Sequence, residues 1–365
     1  MKEFIPWGRP DIGEEEVQAV ADAVRSTWIG GNGPLTVEFE EKIQQKLNVD
    51  HALAVSNGTV ALMCAIQAQS YLNRNIELCI GVPSFTFIAT VNAAATIGSA
   101  VLFDIDRKTW NMEKYIISVA KKKRRLINVV MPVDVGGNPV NYSELRKLNL
   151  PIIADSAEAM GATYKGRMVG SQADAHCFSL HSTKVITTGE GGLITTNDDD
   201  LYEMMCALTN QGYRGRKKSW EYLHRNIGYN YRMTEMQAAL GLVQLKKLDR
   251  YVKERTERAK IYQDVIGSKV EYQTSTKSSH PSHFIFGMLV KNQTEFCEKM
   301  LRNNVQVKVT FRPVHKQPCY KDIFPNEVLP ESEWIADNVV SLPMWNGLSE
   351  EQTKEIAELA RRFVE

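Results

Sequence analysis

The stretch Cys177-Phe178-Ser179-Leu180-His181-Ser182-Thr183-Lys184-Val185-Ile186-Thr187-Thr188-Gly189-Glu190-Gly191-Gly192 decides how the whole chain is read. Its first residues alternate apolar and polar, the period of a short strand. A lysine then arrives among small hydroxyl residues. Two threonines and three glycines follow before the apolar pair Leu193-Ile194 begins a new strand. A lysine entering a tight, glycine-lined turn between strands is poorly placed for an ion pair on a solvated face. It suits a pocket that keeps the amine neutral for attack on a carbonyl, which it then holds as a Schiff base. Taken alone, Lys184 reads more simply as a surface lysine, so the weight falls on its surroundings.

Upstream, His51-Ala52-Leu53-Ala54-Val55 reads as a strand that Ser56-Asn57-Gly58-Thr59 turns into an apolar helix reaching Leu72. Strand, small polar turn and helix together aim free backbone N–H groups and the positive helix end at an anion. A plain N-cap is the simpler reading, and the two are compatible. Strands and helices then alternate. Strands are expected at Glu77 to Val82, Ala100 to Phe103, Leu126 to Pro132 and Pro151 to Ala154, with a helix at Ile88 to Gly98. Short continuous apolar strands in a βαβ rhythm predict an α/β fold with a mostly parallel sheet covered on both faces. Ligands of such sheets sit beyond the carboxyl ends of the strands. Asn57, Phe87, Asp155 and Lys184 all fall at or just after strand ends, and that convergence outweighs any one of them.

Before this region, a helix from about Gly13 to Ser26 carries Val17, Val20, Ala21 and Val24 on one apolar face. The glycine-rich loop Thr27 to Pro34 holds Trp28, and a second helix turns Val37, Phe39, Ile43 and Leu47 toward the core. After Gly192 come a polar turn, a helix and a long polar loop, Gly212 to Gly228, whose basic run is Arg214-Gly215-Arg216-Lys217-Lys218. Thr234 and Gln237 have capping-box spacing and start a helix reaching Ile266, with a bend expected near Gly241. The remainder reads as a smaller α+β unit: strands at His283 to Val290 and Val305 to Thr310, and helices at Glu295 to Asn303 and Ser349 to Phe363. Two domains are therefore expected, 1–245 with the N-terminal arm and 246–365.

Composition narrows the class. The 365 residues are 43% hydrophobic and 24% charged, with 44 basic against 43 acidic side chains. A net charge of +1 provides no field for nucleic acid or a membrane surface. The first residues lack the apolar core of a signal peptide, and no apolar run is long enough to span a bilayer, so a cytoplasmic location is expected. Six scattered cysteines form no Cys-x-x-Cys pair, which fits reduced thiols and no metal site.

Asp155-Ser156-Ala157-Glu158-Ala159, the lysine stretch from Phe178 to Gly192, and Gly228-Tyr229-Asn230-Tyr231-Arg232-Met233 together resemble the DegT/DnrJ/StrS family of sugar aminotransferases. Ser56 to Thr59, Pro83-Ser84-Phe85-Thr86-Phe87, Arg312-Pro313-Val314-His315 and Ser341-Leu342-Pro343 extend the resemblance over nearly the whole chain. It implies an aspartate aminotransferase-like fold of the type I pyridoxal phosphate enzymes. It also implies pyridoxal 5′-phosphate as cofactor, and a homodimer with shared sites that aminates a nucleotide-linked keto-sugar.

By the same resemblance, Lys184 holds the cofactor and shuttles the proton between substrate and cofactor carbons. Asp155 pairs with the protonated pyridine nitrogen and so keeps the ring an electron sink. Phe87 stacks on the ring, and Glu158 lies near the 3-oxygen. Gly58, Thr59 and Ser179 donate to the phosphate, and Asn230 reaches that phosphate from the neighbouring subunit. Trp28, His315 and Tyr320 are substrate contacts by motif position. Val133-Asp134-Val135-Gly136-Gly137 departs from the family pattern of His, an aromatic or apolar residue and Gly, so the pocket wall is expected to differ there.

The reading is therefore transfer of an amino group from L-glutamate to a nucleotide-linked 4-keto-6-deoxy sugar, as in perosamine synthase-like enzymes of lipopolysaccharide O-antigen and other glycoconjugate biosynthesis. The rivals are 3-keto-sugar or cyclitol amination and a non-catalytic regulator. A related dehydratase branch carries His in place of the lysine, which Lys184 argues against.

Overall fold

The computed structural model describes residues 3–73, 77–123, 127–213 and 223–364. Helices α1 (Glu14–Arg25) and α2 (Pro34–Leu47) precede strand β1 (His51–Val55) and helix α3 (Gly58–Leu72). Then come β2 (Cys79–Pro83), α4 (Ile88–Ile97), β3 (Ser99–Phe103), α5 (Glu113–Lys123) and β4 (Val129–Val130). A short helix α6 (Tyr142–Leu145) leads to β5 (Ile153–Asp155), the hairpin of β6 (Thr163–Tyr164) and β7 (Arg167–Met168), β8 (Ala175–Ser179) and β9 (Gly192–Thr196). The chain continues through α7 (Asp199–Thr209), α8 (Glu235–Ile266), β10 (Ser279–His280), β11 (Phe286–Leu289), α9 (Gln293–Arg302), α10 (Pro330–Asn338), β12 (Val339–Leu342) and α11 (Glu350–Phe363).

β2 pairs in parallel with β3 and β4, and β5 in parallel with β8. Parallel bridges Val130–Ile152 and Val133–Asp155 join these two groups, and β9 closes antiparallel between β8 and β1. The sheet is thus mixed, with β9 as its reversed strand. The reversal follows from the connection: the chain returns from β8 to β9 by a loop with no crossover helix, and such a loop can only join antiparallel neighbours. Leu180 N–H donates to Gly191 O at 2.8 Å and Thr188 N–H to Leu180 O at 2.9 Å, which closes that loop around Lys184.

Strand alternation sorts side chains to the two faces. Ala52, Ala54, Ala154 and Phe178 join Phe39, Ile43 and Leu245 on the side of α2 and α8. Leu53, Val55, Ile153 and Cys177 pack with Ala65, Ile66 and Met205 on the side of α3 and α7. Each large apolar side chain buried this way contributes about 1.5–3 kcal/mol. A third cluster joins Tyr262 of α8, Phe286, Met288, Val340 and Ile356 with Ile5 of the N-terminal arm, whose N–H bonds Asn304 O at 2.8 Å. A division at residues 245 and 246 is a proposal that falls inside α8, and Ile5 packs across it.

Several expectations need correction. Helix α1 turns Val17 (54% exposed) and Val24 (50%) to solvent in the single chain, and buries Glu16 and Ala23 instead. Glu16 is held inside by Lys247 at 2.6 Å and by Gln244 at 2.8 Å. Val37 of α2 is also exposed, while Phe39, Ile43 and Leu47 are buried as read. Helix α8 runs unbroken through Gly241. A Cβ there would stand 2.8 Å from Phe39 and 3.0 Å from Thr188, so the glycine permits close packing rather than a bend. Val305 to Thr310 forms only isolated bridges, to Ile5 and Ser341. Arg214 to Lys218 lie outside the described residues. Among the described residues no helix is long and apolar enough to cross a membrane.

Candidate active site

The β8–β9 loop carries Lys184 to the end of the sheet, with its backbone N–H on His181 O at 2.9 Å. Its Nζ stands 3.5 Å from Glu158 Oε1 and 4.1 Å from the centre of the Phe284 ring. Both side chains of the pair are largely buried. Glu158 follows β5 by three residues, and its second oxygen accepts from Gly136 N–H at 2.8 Å. Gly136 adopts φ +72°, a left-handed conformation that glycine takes without strain. The Val133–Gly137 loop therefore does form a wall of this site.

Asp155 closes β5. Its Oδ2 accepts from the Thr90 hydroxyl at 2.6 Å and its Oδ1 from Ala157 N–H at 3.1 Å. Burial pushes the Asp155 carboxyl up from its ordinary range, against Thr90, Ala157 and the Lys184 charge, which pull it down. Burial does the same to Glu158, opposed chiefly by Lys184. The Lys184 charge thus opposes the desolvation of both acids without cancelling it. Behind them, Asp134 accepts from Ser156 Oγ at 2.7 Å and from Tyr142 OH, and burial raises it to about 6. The neighbouring His176, lowered to about 3 by burial, is neutral and accepts at Nε2 from Gln172 and Ala173 N–H groups.

The head of α3 lies beside the same strands. Asn57 Oδ1 caps it by accepting from Val60 N–H at 2.9 Å, while the leading N–H groups of Gly58 and Thr59 have no intrahelical partner. A Cβ on Gly58 would stand 2.9 Å from Ser179 Cβ, and one on Gly192 would stand 2.4 Å from Asn57 O. Only glycine lets the helix head approach Ser179 and β9 this closely. That cradle, a lysine amine and two buried carboxylates fit a phosphorylated aldehyde with a basic ring nitrogen, as pyridoxal 5′-phosphate has.

The remaining candidates fall into two groups. Phe87, at the N-cap of α4, is 62% exposed, Trp28 is 59% exposed, and Asn230 is exposed in a bridge to Asn210. The loop after Trp28 rests on the segment after Asn230, with Glu235 N–H on Gly30 O at 3.3 Å. His315 and Tyr320 are buried and spend their polar atoms inside the protein. His315 Nδ1 meets Ser84 Oγ at 2.7 Å and its Nε2 meets Glu333 at 3.0 Å. Tyr320 OH donates to Asn92 of α4 at 2.7 Å. Both brace the segment that carries Phe87.

Thr90 and Phe284 escaped the sequence reading. Thr90 had a signal, since it stands four residues after Thr86 at the start of a helix beside a strand end. Phe284 had none. It is set by Arg255 of α8, whose buried guanidinium donates to His283 O, Phe284 O and Met344 O, and to Asn346 Oδ1. Asn346 Nδ2 in turn donates to Val185 O at 2.9 Å, which ties the lysine loop to the C-terminal residues.

A model of the DegT/DnrJ/EryC1/StrS aminotransferase family matches residues 10–361. The GDP-perosamine synthase of Escherichia coli O157:H7 is 34% identical over 370 residues, covering 99% of this chain and 98% of that protein. Among solved structures, Helicobacter pylori PseC, an aminotransferase of pseudoaminic acid biosynthesis, matches with a TM-score of 0.92 and 26% identity over 99% of both chains. A Streptococcus pneumoniae chain described as a sugar aminotransferase matches in its pyridoxal phosphate form, with a TM-score of 0.90 and 25% identity over 98% of both chains. With the family model matched over residues 10–361 and these likenesses spanning nearly the full chain, the chain belongs to the DegT/DnrJ/EryC1/StrS family as a pyridoxal 5′-phosphate-dependent sugar aminotransferase.

Proposed function

We propose that the chain moves an amino group from L-glutamate to the 4-keto carbon of a nucleotide-linked 6-deoxy sugar, with GDP as the nucleotide. The observation that carries the site assignment is the Lys184 amine, 3.5 Å from buried Glu158 and close enough for its charge to act on Asp155. The substrate reading is supported by the full-length likeness to a protein named GDP-perosamine synthase. In this reading the enzyme works in the cytoplasm and its product serves a glycoconjugate such as the O-antigen of lipopolysaccharide.

Bound pyridoxal phosphate supplies an aldehyde carbon that takes and releases the amino group, and a ring that accepts electrons when a proton leaves. The chain's own groups do the rest. Lys184 Nζ removes the proton from one carbon and returns it to the other. The Phe284 face beneath the amine limits its travel, and Glu158 offers the counter-charge when the proton is on nitrogen. Asp155 would pair with the ring nitrogen and keep it protonated, and Glu158 would lie near the 3-oxygen. Gly58, Thr59 and Ser179 bind the phosphate at the head of α3, where the helix dipole favours an anion. Phe87, its segment braced by His315 and Tyr320, would stack on the ring, and Trp28 would meet the sugar nucleotide.

The same reading makes the enzyme a homodimer in which Asn230 of the partner subunit completes the phosphate site. Exposed Val17, Val24, Trp28, Ile29 and Val37 support it, since a lone chain leaves this apolar surface in water. The test is a panel of GDP-, UDP- and dTDP-linked 4-keto-6-deoxy sugars, the matching 3-keto sugars and a cyclitol ketone, each incubated with cofactor and L-glutamate, with products identified by mass spectrometry. Amination of the GDP-linked sugar is expected. Amination only of a 3-keto sugar or a cyclitol ketone would overturn the substrate assignment.

A further inference from the structure

Asp155 is gripped by a directed chain of hydroxyls. Thr90 Oγ1 lies 2.6 Å from Asp155 Oδ2, and Thr86 Oγ1 lies 2.7 Å from Thr90 Oγ1. All three side chains are buried. An ionised carboxylate only accepts, so Thr90 donates to Asp155 and is left to accept from Thr86. The order Thr86 to Thr90 to Asp155 is thereby fixed. Ala157 N–H takes the other oxygen, so each oxygen has one donor and the carboxylate plane is pinned while lone pairs remain for a third. Thr86 precedes Phe87, and Thr90 lies in the first turn of α4, its N–H on Phe87 O at 3.2 Å. One short segment therefore carries both Phe87 and the grip on Asp155.

We propose that Thr90, oriented by Thr86, is a positioning residue that fixes the Asp155 carboxylate for pairing with the pyridinium N–H of the cofactor. The inference rests on the reading of Asp155 as partner of the ring nitrogen. Thr90 is also the largest of the influences that pull the Asp155 carboxyl down against burial, so its loss favours the neutral acid. A hydroxyl that merely packs α4 on β5 has no such dependence on the ring atom.

That difference sets the experiment. The apo forms of wild type, Thr90→Val, Thr90→Ser and Asp155→Asn are titrated with pyridoxal phosphate and with 1-deaza-pyridoxal phosphate, whose ring carries CH in place of nitrogen. Binding is followed by absorbance and protein fluorescence, and folding by circular dichroism. Thr90→Val keeps the volume and removes a hydrogen bond to a charged group, so its affinity for pyridoxal phosphate should fall about tenfold. Its affinity for the deaza analogue should stay within about twofold, and Thr90→Ser should behave like wild type. Equal losses for both cofactors, or no loss for either, would overturn the proposal. If Asp155→Asn penalises pyridoxal phosphate selectively and Thr90→Val does not, the Thr90 inference fails while the reading of Asp155 stands. If Asp155→Asn treats the two cofactors alike, the reading of Asp155 fails and the inference falls with it. Should Thr90→Val not fold, Thr86→Val carries the test: a selective loss of about threefold supports the proposal, and an equal loss or none overturns it.

Discussion

Glu40 makes a pH-dependent contribution to stability whose sign and size follow from its surroundings. It projects from α2, and its carboxyl accepts from Ala54 N–H of β1 at 2.7 Å, just before the strand enters the turn at the head of α3. Burial raises its pKa from 4.5 to about 7, the Ala54 hydrogen bond opposes the rise, and nearby Glu235 adds to it. The fold thus binds this proton more tightly than the unfolded chain does. The resulting stability is fully present below pH 4.5 and is lost as pH rises through 7. A rise of that size corresponds to roughly 3 kcal/mol, with a slope near 1.4 kcal/mol per pH unit where only the unfolded form is ionised. Glu40→Gln keeps an oxygen for Ala54 and can never ionise. It should match wild type at pH 4 and exceed it by up to about 3 kcal/mol at pH 8. Urea unfolding of both proteins at four pH values between 4 and 8 reads the difference. A gap that stays constant across that range would mean that Glu40 has the same pKa folded and unfolded, and the account of its burial would be wrong.

Three more outcomes follow. Lys184→Ala should lose the visible absorption band of bound cofactor and the complete cycle, yet retain cofactor through the α3 head; near-normal turnover would remove Lys184 from its role. Lys184→Ala and Asn230→Asp homodimers should both be impaired, while mixing them should restore activity toward half a normal dimer in each heterodimer, because one site then carries both lesions and the other neither. Verified heterodimers without recovery would place Asn230 within its own subunit's function or outside the site. Gly241→Ala should lower stability by about 1–3 kcal/mol through its approach to Phe39 and Thr188, despite alanine's better helix propensity; a thermal midpoint at or above wild type would contradict this.

The sheet was legible because its strands are short apolar runs at regular spacing, and helix α3 because its turn residues stand directly after β1. What misled were positions where one chain's sequence does not say which neighbour will arrive. Val17 and Val24 have the period of a core face, but Gln244 and Lys247 of α8 receive Glu16, and that ion-paired acid takes the inward position. Gly241 looked like a helix breaker because propensity sees the missing side chain and not the Phe39 ring that fills its place. In both cases a partner about two hundred residues away, supplied by tertiary packing, overrode local preference.

The site divides along the same line. Asp155, Glu158 and Lys184 were legible because each stands at a strand end or within five residues after one, so the sheet delivers them to one edge. His315 and Tyr320 also stand in recognisable motifs, but a motif does not state which way a side chain faces, and both close inward on Ser84, Glu333 and Asn92. Their hydrogen bonds hold the residues around Phe87 and helix α4, the same segment from which Thr90 reaches Asp155. Phe284 completes the opposite side by a path with no local sequence signature, since Arg255 fixes its backbone and Asn346 fixes that of Val185. The site thus has two supports, α4 holding Asp155 through Thr90 and α8 holding the backbones of Phe284 and, through Asn346, Val185 by a buried guanidinium. Burial lowers Arg255 to about 9, still above neutral pH, so its charge and its four hydrogen bonds persist during the proton transfer proposed for Lys184. A scaffold whose own protonation does not change with the step it frames keeps the amine, the acid and the ring face in register through both halves of the reaction.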